Sequence, residues 1–169
     1  MLESGMQDGI PLAHGAFPAC GSPACSAIYA DASGNEGWCA WTVKDDTLLI
    51  TSGEWTPEEL ADETFIIAEK ELLASTLGLV TLAPAAGLSF VYSFTDNTNA
   101  EAAMRRLKPK TARMQRMIEQ RSAWMRAEGV LECAERVPTK HNLWADMGSR
   151  SATEAVIQQA QGLDLSTLQ

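Results

Sequence analysis

A five-stranded mixed sheet flanked by helices, in the order βββαβααβα, is the α/β architecture this sequence predicts. Three observations carry it. Residues 27–55 hold three short strand-like runs separated by tight turns. Two more β-branched and aromatic runs, 88–95 and 130–137, are each set off by helical stretches. Strands alternating with helices after residue 56 are the pattern of a sheet with helices packed on it.

The elements follow in order. Residues 1–26 are rich in Gly, Pro, Ala and Ser without periodicity and read as a flexible N-terminal arm. Residues 27–31 and 37–43 read as the first two strands, "KDD" as a turn, and 47–55 as the third strand, together a meander. "TPEEL" opens a helix: Thr56 can cap it, Pro57 suits its first turn, and Glu59 stands at capping-box spacing. The helical pattern continues through "ADETFIIAEKELLASTLGLV" with a break near Asp62, and Pro84 and Gly87 are expected to end it. The strand 88–95 runs up to Asp96. A short helix, "NTNAEAAMRRL", stops before Pro109. A longer helix over 111–129 presents Met114, Met117, Ile118, Trp124 and Met125 as its apolar side and stops at Gly129. "VLECAERV" is the fifth strand, "PTKHN" a loop, and a last helix starts at Leu143 with an interruption at Gly148. The domain is drawn over 27–150, with 151–169 as a helix end and tail.

At 169 residues the chain fits one domain. No apolar run reaches the ~20 residues of a membrane span, and the acidic, interrupted N-terminus does not read as a signal peptide. Cys20, Cys25, Cys39 and Cys133 form no CxxC pair and read as reduced thiols, which suits an intracellular protein that is not secreted. Net charge is −9, yet eight of the thirteen basic residues lie between Arg105 and Arg126. That stripe suits a phosphate backbone; a solvated helix face is the plainer reading.

Acids stand where a sheet edge would gather them. Asp31 ends the first strand and Asp96 the fourth; if those strands are parallel neighbours, both carboxylates emerge where open α/β sheets bind ligands. Glu69 and Glu71 compete for a third place, because two residues apart they face different sides of a helix. Glu71 shares a side with Ile67 and Ala74 and is preferred; Glu69 is expected to look outward. Asp146, in the first turn of the last helix, is the fourth, and it also reads as a helix-stabilising acid. Converging carboxylates with only oxygen donors call for Mg²⁺ or Mn²⁺, and two such ions ~3.5–4 Å apart make a phosphoryl-transfer centre.

The segments "YADASGNEGWCAW", "KELLAS", "FTDNTNA" and "VPTKHNLWADMGSR", in this order and on these elements, resemble the ribonuclease H domain of retroelement, long-terminal-repeat-type reverse transcriptases, within the ribonuclease H-like superfamily. The resemblance implies that Asp31, Glu71, Asp96 and Asp146 hold two Mg²⁺ or Mn²⁺ ions and cut the RNA strand of RNA–DNA hybrids. One ion would lie on Asp31, Asp96 and Asp146, the other on Asp31, Glu71 and Asp96. It implies a hybrid as partner, with a reverse transcriptase polymerase domain as a second. Ser33, Asn97 and Asn99 flank the acids as readers of the 2′-hydroxyl, and each suits a turn or cap equally. Arg105, Arg106, Lys108, Lys110 and Arg113 would grip phosphates. His141 lies in the loop where many members carry a histidine, but closer to the last acid than that pattern, so a solvated loop residue is the alternative. The same set also suits another nuclease or integrase of the superfamily, or a domain that kept the fold as a binding platform without the chemistry.

Overall fold

The computed structural model describes residues 6–7, 10–11 and 25–165; most of the N-terminal arm and the last four residues lie outside them. Met6–Gln7 and Ile10–Pro11 form a small antiparallel pair apart from the main sheet. The main sheet has five strands: β1 (Cys25–Ala32), β2 (Gly37–Lys44), β3 (Thr47–Glu54), β4 (Phe90–Thr95) and β5 (Leu131–Arg136). Their order is β3-β2-β1-β4-β5. The meander β1–β2–β3 is antiparallel, while β4 and β5 run parallel to β1, so the mixed sheet expected from the sequence is present.

Local chemistry sets the joints. Asp45 and Asp46, at φ 50° and 58°, make the two-residue turn between β2 and β3. Both positions need the left-handed region in such a hairpin, and Asp tolerates it better than most residues. Thr56 and Glu59 form a reciprocal capping box at the start of α1 (Pro57–Ala61). The helix does break at Asp62, and α2 restarts over Ile67–Ala86. Pro84 sits inside that last turn; Gly87, left-handed at φ 64°, is the stop. α3 spans Thr98–Arg106, capped by the Asn97 side chain, and α4 spans Ala112–Glu128, capped by Thr111 and closed by left-handed Gly129.

Beyond β5 the expected loop contains a single 3₁₀ turn, Thr139–His141. The expected final helix is two: α5 (Leu143–Ser149) and α6 (Thr153–Ala160). The break lies at Ser151, which takes φ 61°, and not at Gly148. α6 and the residues after it add Val156, Ala160 and Leu165 to the buried set.

Alternation along β1 divides the core. Ile28, Ala30 and Ala32 pack with Leu79, Leu82 and Ala83 of α2, and Trp124 and Met125 of α4 close that layer. Ala27 and Tyr29 face the other way, with Trp41, Phe94 and Ala145 of α5. The rings of Tyr29 and Trp41 stack at 4.6 Å and those of Tyr29 and Phe94 at 4.9 Å. Each such buried side chain contributes about 1.5–3 kcal/mol by leaving water. α2 lies close on β2 because residue 78 is glycine: a Cβ there would stand 2.5 Å from that of Ala40. No described helix is long and apolar enough to cross a membrane.

Candidate active site

The parallel register of β1 and β4 pairs Tyr29 with Phe94. Two residues further along each chain are Asp31 and Asp96, so both acids leave the sheet at one edge. Glu71 comes to the same place from the first turns of α2. One carboxylate oxygen from each of Asp31, Glu71 and Asp96 lies within 4.8 Å of the others.

Burial dominates their electrostatics. It lifts Asp31 to about 7, with the charges of Asp96 and Asp146 adding to the effect and a hydrogen bond from Ser149 opposing it. Glu71, equally buried, is pushed to about 10 by burial and by Asp31 and Asp96. Carboxylates this close cannot all ionise without a counter-charge. Glu71 Oε2 is buried and has no hydrogen-bond donor. An orphaned acceptor inside a ring of hard oxygen ligands is what a divalent cation satisfies, so these residues fit Mg²⁺ or Mn²⁺.

The supports are specific. Ser149 Oγ lies 2.8 Å from Asp31 Oδ2, and Thr139 Oγ1 donates to Asp96 Oδ2 at 2.8 Å. Asp146 stands on α5 outside the three-acid group, near enough to act on Asp31, with Arg150 Nε 3.1 Å from its Oδ1. α5 is seated by two contacts. Asn142 Nδ2 donates to the Ala30 carbonyl at 3.0 Å. Gly148 lies so close to β2 that a Cβ would fall 2.3 Å from Cys39 Sγ. That thiol is itself pushed up to about 12 by burial and by the Asp31 charge.

Several expected roles are redistributed. Glu69 does not look outward: it is buried and takes a 2.7 Å ion pair from Arg113 and a hydrogen bond from Thr111. Ile67, expected to share an apolar side with Glu71, is 45% exposed. Arg113, part-exposed, also pairs with Asp62 at 2.9 Å and lies over the Phe65 ring, so its guanidinium is engaged by the protein's own acids where a grip on phosphate was expected. Arg121, part of the basic stripe by sequence, is fully buried against Glu132. Arg105 is exposed but pairs with Glu101 at 3.1 Å. Arg106, Lys108 and Lys110 are exposed.

Ser33 accepts the backbone N–H groups of Glu36 and Gly37, and Asn97 Oδ1 accepts those of Asn99 and Ala100, the turn and cap roles left open by the sequence. Asn99 is half-buried at the start of α3, three residues after Asp96. His141 lines an apolar cavity of about 250 Å³ with Tyr29, Trp41, Lys140, Leu143, Trp144 and Leu163, and is not among the acids' partners. Ser149, Thr139, Asn142 and Arg150 escaped the reading of the sequence. Only Arg150 carried a local signal, since it stands four residues after Asp146 on one helix.

No protein-family model and no curated protein sequence matches the chain. Solved structures do. A ribonuclease H1 from the halophilic archaeon Halobacterium salinarum NRC-1 is similar at TM-score 0.55 and 16% identity, over 78% of this chain and 98% of that one. LC11-RNase H1 in complex with an RNA/DNA hybrid is similar at TM-score 0.56 and 18% identity, over 79% of this chain and 98% of that one. The N-terminal ribonuclease H domain of rv2228c from Mycobacterium tuberculosis is similar at TM-score 0.51 and 22% identity, over 81% of this chain and 99% of that one. The chain has the ribonuclease H-like fold.

Proposed function

We propose that this chain is a metal-dependent endonuclease that hydrolyses the RNA strand of RNA–DNA hybrids. The observation that carries the reading is the gathering of Asp31, Glu71 and Asp96 from β1, α2 and the end of β4 within 4.8 Å, on this fold. Asp31, Glu71 and Asp96 would hold divalent cations, with Asp146 completing the set from α5. Bound there, two Mg²⁺ or Mn²⁺ ions supply Lewis-acid activation of water and neutralise charge on the leaving oxygen. The residues of the chain do the positioning. Thr139 fixes the Asp96 carboxylate, and Arg150 holds Asp146. Exposed Arg106, Lys108 and Lys110, with Arg105, take phosphates, and Asn99 meets a 2′-hydroxyl, the group that separates RNA from DNA. The motif resemblance points further, to an intracellular enzyme working beside a reverse transcriptase polymerase domain, with residues 27–150 as its catalytic unit.

The test is cleavage of a labelled RNA–DNA hybrid in Mg²⁺ or Mn²⁺, with duplex DNA alongside. Cutting of the RNA strand alone is expected. Asp96→Asn, at a half-buried position, is expected to fold as the parent and to lose on the order of 10²-fold or more in kcat, which is several kcal/mol of transition-state stabilisation. A wild-type protein that leaves hybrid intact would mark a binding platform instead.

A further inference from the structure

Ser149 is fully buried on the last turn of α5, and its hydroxyl stands between two parts of the site. Asp31 Oδ2 lies 2.8 Å from Oγ on one side; the main-chain carbonyl of Asp146 lies 2.8 Å away on the other. A hydroxyl has one proton to give, so these acceptors share or exchange it. The bond to Asp31 crosses 118 positions of sequence and is the direct polar link between the strand acid and the helix that carries Asp146.

We infer that Ser149 is a positioning residue: it sets the Asp31 carboxylate and ties it to the Asp146 turn, so that both acids address the same cation. This rests on the metal-dependent reading above. The terminal torsion of an Asp side chain is broad and roughly twofold, so the carboxylate has no strong intrinsic orientation. A hydrogen bond to one oxygen restricts that freedom. Groups in this relation to a metal ligand typically account for 10–100-fold in affinity or activity. The rest of α5 is arranged to bring the hydroxyl there. Asn142 fastens the start of the helix to Ala30, one residue from Asp31. Gly148, adjacent to Ser149, allows the helix to lie on Cys39 of β2, the residue paired with Asp31 across the sheet.

The experiment measures Mn²⁺ binding to the full chain by calorimetry, with unfolding curves in chelator, for wild type, Ser149→Ala and Asn142→Ala. Ser149→Ala removes one oxygen atom and leaves the helix its other fastenings. It is expected to weaken Mn²⁺ at least 10-fold, to lower kcat on hybrid at limiting metal with recovery at high metal, and to leave the KM for hybrid unchanged. Asn142→Ala, which loosens the same helix at its far end without touching Asp31, is expected to lower the unfolding midpoint and to weaken Mn²⁺ by no more than about threefold, well short of the loss in Ser149→Ala. Equal affinities for wild type and Ser149→Ala, with wild type cutting hybrid, would overturn the role of Ser149 alone. So would a loss in Asn142→Ala as large as that in Ser149→Ala, because helix seating would then explain both. A wild type that neither binds Mn²⁺ nor cuts hybrid would overturn the nuclease reading together with this one.

Discussion

Asp31 and Glu71 carry the sharpest consequence of the site, because burial holds them protonated where free acids would be charged. In the metal-free protein both have folded values, about 7 and about 10, above their ordinary values of 3.8 and 4.5. The folded state therefore binds more protons than the unfolded chain across that window. The stabilisation is fully present below about pH 4 and is lost as pH rises through 7 for Asp31 and onward to 10 for Glu71. In chelator, stability is expected to fall by up to ~1.4 kcal/mol per pH unit per group between these limits. Denaturant titrations from pH 4 to 9 would show it. Saturating Mg²⁺ should flatten the curve, since a cation favours the ionised carboxylates. A metal-free curve that rises between pH 5 and 8 would contradict the burial of these acids.

α4 illustrates how a helix can be misjudged from its charges. Its capping by Thr111, its stop at Gly129 and its buried Met114 and Ile118 agree with the sequence pattern. Its arginines do not form one solvent-facing stripe. Arg121 donates to Glu132, Ser75 and Thr76, and Ser93 donates to the same glutamate, so α4, α2, β4 and β5 meet in one buried polar network. Removing one member leaves the other charge stranded. Arg121→Met is expected to destabilise the fold by ~3–5 kcal/mol in chemical denaturation. α5 offers a steric counterpart. Gly148→Ala places a methyl group 2.3 Å from Cys39 Sγ, and an overpacking loss of about 1–3 kcal/mol is expected, with Mn²⁺ binding weakened because Ser149 and Asp146 move with the helix.

For the molecule as a unit, a net charge of −9 and the proposed nucleic acid substrate are reconciled by distribution. Arg106, Lys108 and Lys110 are exposed on the segment joining α3 to α4. If they meet phosphates, affinity for hybrid falls with salt, and each contact adds roughly 0.7–0.9 to the slope of log K against log salt. Lys108→Ala with Lys110→Ala is expected to flatten that slope by about two contacts' worth, while Arg113→Ala should leave it unchanged and reduce stability, because Arg113 pairs with Glu69 and Asp62. Binding measured from 50 to 300 mM salt separates the two outcomes.

Much of this was written in neighbouring residues. Strand periods, the Thr56–Glu59 capping box, the Asp45–Asp46 turn and the glycine stops at 87 and 129 depend on contacts a few positions apart, and the sequence carries such contacts openly. The placement of Asp31 and Asp96 at strand ends followed from the same short-range periods; the grounds for preferring Glu71, an apolar side with Ile67 and an outward Glu69, did not hold in the fold. What the sequence did not disclose are pairings between distant positions: Glu69 with Arg113, Arg121 with Glu132, Ser149 with Asp31. Those depend on the angle and depth at which helices settle on the sheet. Close-packed interiors set that geometry through side chains such as Gly78 against Ala40 and Gly148 against Cys39, whose partners lie tens of positions away.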